Sequence, residues 1–436
     1  MKALILFIFS FISLSASDSL VSWFKDGTVD GNVKYYFIET DKYFMDGSES
    51  KPYSNAIGGQ LKYTTSSLNG LKFGTTLMTT QPFLLPKSVE SSTIGQDNGF
   101  RGENPESGYF VLGEAYLDYK NNFFNIWYGR RVITTPMIGA KEARMLPSAI
   151  QGGESQFFIG EETTLSVAYI DYFKQRSSDT FTDIIEHALG EDTYAITGED
   201  KGYTLSLNLK YKYKDFTLNM YDIYASNFIN TAYADIVYKR DFYKLSAQVV
   251  SQDSVGNADT NLAKSSSVTN GKKINSKAVG LRAQFNYQES GFDFVYRNIA
   301  RDSGSYDSII TPWDGTLLYA YSSTTNNLGQ SLCGKGLTSG GAYVGGTQGV
   351  KLGYTQKYDF SGLKGFKTHL AYANYQNSLY RENQEDLKAI IFYDIGKFSL
   401  QLKGIWIDND TYTSKDGTVY QLDSLTQYHV ITNYKF

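Results

Sequence analysis

Alternation of apolar and polar residues, with a period of two, recurs along this chain from Asn32 to its last residue. The clearest run is YTLSLNLKYKYK, Tyr203 to Lys214, in which Tyr and Leu fill every second position and polar residues fill the positions between. Side chains alternate between the two faces of a β-strand, so each such strand has one face for hydrocarbon and one for water. Comparable runs lie at Lys277 to Tyr287, Phe398 to Trp406 and Gln427 to Phe436.

The connections between these runs alternate between short and long. Short polar turns, such as Lys214-Asp215 and Gly396-Lys397, are each followed one strand later by a longer segment rich in Ser, Gly, Asn and Asp. Eight turns and nine loops predict eighteen strands, with both chain ends on the side of the short turns. The predicted long loops span about 40–53, 81–108, 134–150, 174–201, 227–231, 253–274, 302–346, 377–385 and 409–425.

This pattern predicts an all-β fold, namely a transmembrane antiparallel β-barrel of about 18 strands with short periplasmic turns and long extracellular loops. A sheet in lipid must close on itself, because an open edge leaves backbone groups without hydrogen bonds. Barrels of sixteen to eighteen strands enclose an aqueous lumen, which indicates a pore. The alternative is a soluble array of sandwiches or a propeller, which the lack of a blade-length repeat and the 7 prolines disfavour.

Composition suits a lipid interface and excludes several classes of protein. The 36 Tyr and 27 Phe together outnumber the 41 basic residues, and aromatic residues favour strands and membrane interfaces. A single cysteine, Cys333, excludes an intramolecular disulfide, and the 3 histidines lie far apart, so we expect no metal and no cofactor. The net charge of -4 argues against general nucleic-acid binding.

The first residues are typical of a secretory signal peptide. Lys2 gives a positive start, Ala3 to Leu14 an apolar centre, and Ser15-Ala16-Ser17 small residues suited to cleavage; a buried N-terminal helix is the alternative. Beyond it, no run approaches the ~18 apolar residues of a membrane-spanning helix. We therefore predict a signal peptide at 1–17, a short N-terminal segment at 18–30 and a barrel domain at 31–436.

A motif near the predicted fifth strand resembles a known family. From Tyr128 to Pro147 the chain reads YGRRVITTPMIGAKEARMLP, followed by Gly152-Gly153. This resembles the OprD-type porins, which have a Gly-Arg pair at a strand end, then Thr-Pro, an acidic-x-Arg-Met element and a Pro in the loop that folds into the channel. The family's usual Asp-Ser-Arg-Met is Glu-Ala-Arg-Met here. The matching positions are Gly129, Arg130, Thr135, Pro136, Glu142, Arg144, Met145 and Pro147.

Both ends of the chain also resemble outer-membrane barrels. Trp23 to Phe37 is similar to the opening of the OprD-type porins, and Phe436, in phase with Tyr434, resembles the terminal signal that the outer-membrane assembly machinery reads. The expected partners are therefore the lipid bilayer and that machinery, in the outer membrane of a Gram-negative bacterium. The oligomeric state stays open between a monomer and a homotrimer.

If the large apolar residues of each strand face lipid, the residues between them face the lumen. This predicts a wall of positive charge in the second half of the chain, formed by Arg282, Arg297, Arg301, Lys351, Lys388 and Lys403. Arg144 would join it through the motif loop, and we expect it to be opposed by Glu114, Asp118, Glu142 and Asp235. Opposed charges orient ionised solutes, and arginine pairs bidentately with carboxylates. The resemblance likewise implies a ladder of basic residues that guides carboxylates.

These features predict a porin and not an enzyme. It would give passive, partly selective diffusion of small hydrophilic solutes, most specifically small organic anions, carboxylates or amino acids. Alternatives are a general non-selective porin and a closed structural or adhesin barrel. A hydrolase would need His beside a nucleophile and an acid, and His187, His369 and His429 stand in no such motif. Asp408-Asn409-Asp410 resembles a calcium loop, but Tyr412 occupies one of its ligand positions.

Overall fold

The computed structural model describes residues 17–44, 47–51, 53–83, 108–140, 144–264, 266–319, 343–377, 381–409, 412–413, 419–420 and 422–436. Within these residues, eighteen long antiparallel strands form one closed sheet. The strands are β1 Thr28–Phe44, β2 Tyr53–Thr64, β3 Leu71–Pro82, β4 Tyr109–Lys120, β5 Phe124–Arg131, β6 Ala149–Ile159, β7 Thr163–Lys174, β8 Thr204–Tyr213, β9 Phe216–Ala225, β10 Ile229–Lys239, β11 Tyr243–Ser254, β12 Asn275–Tyr287, β13 Ser290–Ile299, β14 Gln348–Lys357, β15 Phe366–Asn377, β16 Arg381–Ile395, β17 Phe398–Asn409 and β18 Leu422–Lys435.

The last strand closes the barrel by pairing with the first. In this register Asn32 lies opposite Lys435 and Ile38 lies opposite His429, while the other edge of β1 pairs with β2. Each remaining strand pairs with its neighbours in sequence. The prediction of an eighteen-stranded antiparallel barrel is therefore confirmed.

The two faces of the strands follow the alternation of the sequence. In β8, Leu205 and Leu207 are 41% and 49% exposed, whereas Ser206 between them is 8% exposed. Exposed aromatic residues ring the rim at the short turns, as in the interfacial girdles of membrane barrels. This girdle comprises Phe123, Phe157, Tyr213, Phe216, Phe242, Tyr287, Phe292, Phe398, Tyr434 and Phe436. The apolar face is thus the lipid-facing face of an outer-membrane fold.

Short helices lie before the barrel and in its long loops. Asp183 caps one of them by accepting hydrogen bonds from the backbone N–H groups of Ile185 and Glu186, at 3.0 and 3.2 Å. Among the described residues, no helix is long and apolar enough to cross a membrane. The helices are α1 Ser17–Lys25, α2 Ile184–Leu189, α3 Thr193–Thr197, α4 Ala258–Asn261 and α5 Ser266–Thr269; two-residue strands lie at Glu49–Ser50, Thr182–Asp183, Tyr412–Thr413 and Val419–Tyr420.

The loops fill part of the lumen with an apolar core. Residues of α2 to α5 and of the loop after β13, including Ile310 and Trp313, pack against inward side chains such as Ile170 and Ile223. These wall residues lie toward the long-loop ends of β5 to β13. The core therefore supports the loops inside the extracellular half of the barrel.

Candidate functional site

Two loops fold into the barrel and contact each other there. The first follows β5 and comprises the described residues 132–140 and 144–148; the second follows β13 and comprises residues 300–319. The N–H of Gly139 donates a hydrogen bond of 2.9 Å to the carbonyl of Trp313, and Ile138 forms β-bridges with Trp313 and Asp314. Trp313 is fully buried, and its indole N–H donates to the carbonyl of Ile184 at 2.7 Å. The two loops are thereby fixed to each other.

Two glutamines of β11 hold the second loop against the inner wall. Gln252 donates to the carbonyl of Ile310 at 2.9 Å and accepts from its N–H at 2.8 Å. Gln248, four residues closer to the periplasmic end of β11, donates to Leu317 O at 2.5 Å and accepts from Tyr319 N at 2.9 Å. The loop therefore descends along β11 toward the middle of the barrel.

The predicted acidic residues of β4 hold the base of the first loop. Glu114 is buried and accepts from Lys62 Nζ at 3.2 Å, from Thr76 Oγ1 at 2.6 Å and from the N–H of Val132 at 3.1 Å. Asp118 forms an ion pair of 2.8 Å with Arg131, the last residue of β5. Both carboxylates are therefore engaged where the chain leaves β5 to enter the lumen.

A row of cations follows the inner wall from β12 to β17. Asp293 on β13 lies between the first two cations, accepting from Arg282 Nε at 2.7 Å and pairing with Lys351 Nζ at 2.8 Å. Lys388 on β16 lies near Lys351 and near Lys403 on β17, close enough for these like charges to repel one another. Lys403 in turn interacts with Arg144 of the first loop. We call Arg282, Lys351, Lys388, Lys403 and Arg144 the basic row.

Arg144 is the point at which the first loop docks on the wall formed by β1. It is 8% exposed and hydrogen-bonds to Tyr36, whose hydroxyl is 2.9 Å from Nδ1 of His429. The carbonyl of Arg144 accepts a hydrogen bond of 2.8 Å from Lys34 Nζ. The next residues, Met145 and Leu146, belong to an apolar cluster with inward residues of β1 to β4. The described parts of the loop are thus attached to the wall both at β5 and at β1.

Two other arginines that the sequence predicts in the basic wall, Arg297 and Arg301, lie in or close to the second loop. Arg297 is 1% exposed, and its guanidinium lies 4.8 Å from the ring centroid of Tyr343. Arg301 forms an ion pair with Asp307 of the same loop. Their predicted role in guiding solutes stays a prediction, and so does that of Glu142, which lies outside the described residues.

Carboxylates line a cavity of about 330 Å³ between the loops and β9 to β10. Asp235 accepts a hydrogen bond of 3.0 Å from Asn219 Nδ2, and Asp314 forms an ion pair with Arg176. The N–H of Tyr319 donates to Gln248 of β11, which lies opposite Asp235 of β10. The next strand, β12, carries Arg282, so Tyr319 lies between the acidic cavity and the start of the basic row. Charges of opposite sign therefore line neighbouring parts of the inner wall beside the inward loops.

A second cavity, of about 480 Å³, continues this space toward the short-turn end. It shares Thr134, Thr135 and Tyr221 with the first cavity. Its lining includes Glu154 and Lys210, which keep it polar. The two cavities together form a polar space that extends from the inward loops toward the periplasmic mouth.

Asp293 is the main residue of this site that sequence reasoning missed. It is in phase with the inward-facing Val295 and Arg297, and that phase was the available signal. The two histidines on strands are not in a catalytic arrangement: Nδ1 of His369 is 2.9 Å from Thr355 Oγ1, and Nδ1 of His429 is 2.9 Å from the hydroxyl of Tyr36. His187 of α2 packs against Phe173 of β7, and burial lowers the pKa of the His187 imidazole. The calcium-like run after Asp408 lies mostly outside the described residues.

Solved structures with the same architecture are outer-membrane porins. OccK9 (OpdG) of Pseudomonas aeruginosa superposes with a TM-score of 0.70 at 14% identity, over 95% of this chain and 99% of that one. This chain has the OprD-type porin fold. OccAB2 of Acinetobacter baumannii gives a TM-score of 0.69 at 15% identity with the same coverage, and OpdK of P. aeruginosa, crystallised with vanillate, gives 0.66 at 11%.

The likeness to these porins is confined to the three-dimensional structure. No family model and no curated relative matches the chain by sequence. The resemblance predicted from the loop motif is thus confirmed at the level of the fold. These porins are channels rather than enzymes.

Proposed function

We propose that this protein is a passive diffusion channel in the outer membrane of a Gram-negative bacterium and that it favours small organic anions, carboxylates above all. The observation that carries this proposal is the basic row, which continues from Arg282 on the wall to Arg144 on the inward loop. Its members face the lumen where the loops narrow it. Rings and rows of charge select ions at close range in this way.

The spacing of the row supports stepwise passage of a carboxylate. Lys388 lies opposite Ile405, two residues along β17 from Lys403. The two lysines are therefore diagonal neighbours, and their long side chains can reach one solute carboxylate. Asp293 moderates the attraction at the other end, because it already pairs with Arg282 and Lys351. A solute would therefore be attracted but not held strongly, as conduction requires.

The acidic cavity adds an opposing field. Asp235 and Asp314 would repel a carboxylate toward the basic row and would attract a cationic group on the same solute. Amino acids and small carboxylates both fit such a site. OpdK, with the same fold, was crystallised with vanillate, a small aromatic carboxylate, which agrees in charge with the solute proposed here. The general porin and the closed adhesin barrel are the competing functions.

Solute flux into liposomes tests the proposal. In the double variant Lys388→Gln/Lys403→Gln, uptake of a small carboxylate should fall several-fold relative to a neutral sugar of similar size. The matched control neutralises the exposed Lys357, at the periplasmic end of β14, and Lys364, in the turn that follows. This variant, Lys357→Gln/Lys364→Gln, should leave the ratio unchanged. An unchanged ratio in the first variant would favour the general porin, and absence of flux of either solute in the wild type would favour the closed barrel.

A further inference from the structure

The helix that precedes the barrel has an apolar surface outside the lumen. Val21 and Phe24 of α1 are 62% and 52% exposed, and Ser22 and Lys25 are exposed as well. At 100° per residue, Leu20, Val21 and Phe24 fall on one side of the helix and Ser22 on the other. Lys25 lies at the border between them, beside Val21. The helix is therefore amphipathic, with large apolar side chains exposed.

Hydrogen bonds fix the end of α1 to the rim of the barrel at the turn between β2 and β3. The indole N–H of Trp23 donates to the carbonyl of Leu71 at 3.2 Å, and the N–H of Ser66 donates to the carbonyl of Trp23 at 3.0 Å. The hydroxyl of Tyr63 donates to the carbonyl of Phe24 at 2.5 Å. These bonds set the position of α1 relative to the barrel wall.

Tyr63 places this helix on the lipid side of the wall. It shares a face of β2 with the 50% exposed Leu61 and lies opposite the 60% exposed Val29 of β1, whereas Lys62 between them reaches Glu114 on the lumenal side. The exposed side chains of α1 therefore continue the lipid-facing surface at its periplasmic edge. Phe436, whose ring covers Gly31, belongs to the same part of the aromatic girdle.

We propose that α1 is an interfacial anchor, lying along the periplasmic leaflet of the outer membrane with Leu20, Val21 and Phe24 among the lipid chains near the headgroups. Amphipathic helices bind membranes in this orientation, and Trp and Tyr prefer that depth. Lys25, at the border between the apolar and polar sides, is placed to meet phospholipid phosphates. The partner is a phospholipid surface, and it lies outside the path of solutes through the lumen.

Spin-label accessibility in phospholipid liposomes tests the anchor. The chain's single cysteine is replaced by Cys333→Ser, and labels are attached in the mature protein through Val21→Cys or, as the matched control one residue away, Ser22→Cys. The label at 21 should collide more with oxygen than with a water-soluble nickel complex, and the label at 22 should show the reverse. Equal nickel accessibility at both positions would place α1 in water and overturn the proposal. Protection of the label at 21 from both reagents would mean that it packs on protein, which also overturns it.

Quenching by brominated phospholipids gives an independent measurement on the same protein. Bromine near the headgroup should quench a component of the tryptophan fluorescence that the variant Trp23→Phe lacks, and bromine deep in the chains should quench that component less. Equal quenching of wild type and variant at the shallow position would contradict the proposed depth. Channel conductance should be the same in both proteins, because α1 lies outside the lumen.

Discussion

Replacing Asp293 by Asn is expected to make the channel more selective for anions. This carboxylate is the shared partner of Arg282 and Lys351, at 2.7 and 2.8 Å, and its side chain is 14% exposed. Asn keeps the shape of the side chain and removes its charge. The two cations would then act on passing solutes without an opposing carboxylate between them.

The size of the effect follows from Coulomb's law. A unit charge about 4 Å away contributes about 1 kcal/mol in water, and more where solvent is partly excluded. Since about 1.4 kcal/mol corresponds to a factor of ten, the occupancy of an anion beside the row should rise about fivefold. Screening by salt reduces this little, because the distance is well below the Debye length of about 8 Å at physiological ionic strength.

The assay is the reversal potential of single channels in a potassium chloride gradient. The chloride-to-potassium permeability ratio of Asp293→Asn should exceed the wild-type ratio, whereas Asp241→Asn, the same change at an exposed periplasmic turn, should leave it unaltered. Heat-dependent migration in gels would verify that both barrels fold. A ratio that stays the same, or that moves toward potassium, would refute the assignment of Asp293 to the ion pathway.

Three further outcomes are expected. Leu402→Lys should lower the free energy of unfolding by about 2 to 4 kcal/mol, because it places charge in lipid, whereas Gln401→Lys on the lumenal face should be mild; urea unfolding in liposomes ranks them, and the reverse order would contradict the assignment of faces. Deleting Phe436, whose N–H donates to Gly31 O at 3.0 Å, should reduce assembly in the outer membrane but not export, and equal surface levels would argue against a terminal signal. Arg144→Ala should raise single-channel conductance by releasing the loop from the β1 wall, and a conductance equal to that of the wild type would show that the loop does not narrow the path.

The barrel could be predicted because a membrane constrains each strand locally. Every strand must show apolar residues on one side, as in Leu205 and Leu207 of β8, and every turn must be polar, so the pattern repeats along the chain. Strand number, chain ends and faces all follow from that repetition. None of these features depends on contacts between residues far apart in sequence.

The interior of the barrel depends on such contacts and was predicted less completely. The loop that enters the lumen was indicated by its motif, but its docking through Arg144 on Tyr36 joins residues 108 positions apart. The hydrogen bonds of Gln248 and Gln252 to the second loop and the ion pairs of Asp293 likewise depend on strand register and on the path of the loop. Alternation shows that a side chain faces inward, but it does not show whether that side chain meets a solute, a loop or another charge.

The central claim, an anion-favouring aqueous channel, is tested most directly by the wild-type protein in a planar bilayer. The account predicts discrete conductance steps. In a potassium chloride gradient, it predicts a reversal potential whose sign shows that chloride is more permeant than potassium. A barrel that inserts but conducts no ions, or one whose reversal potential lies on the potassium side, would contradict it.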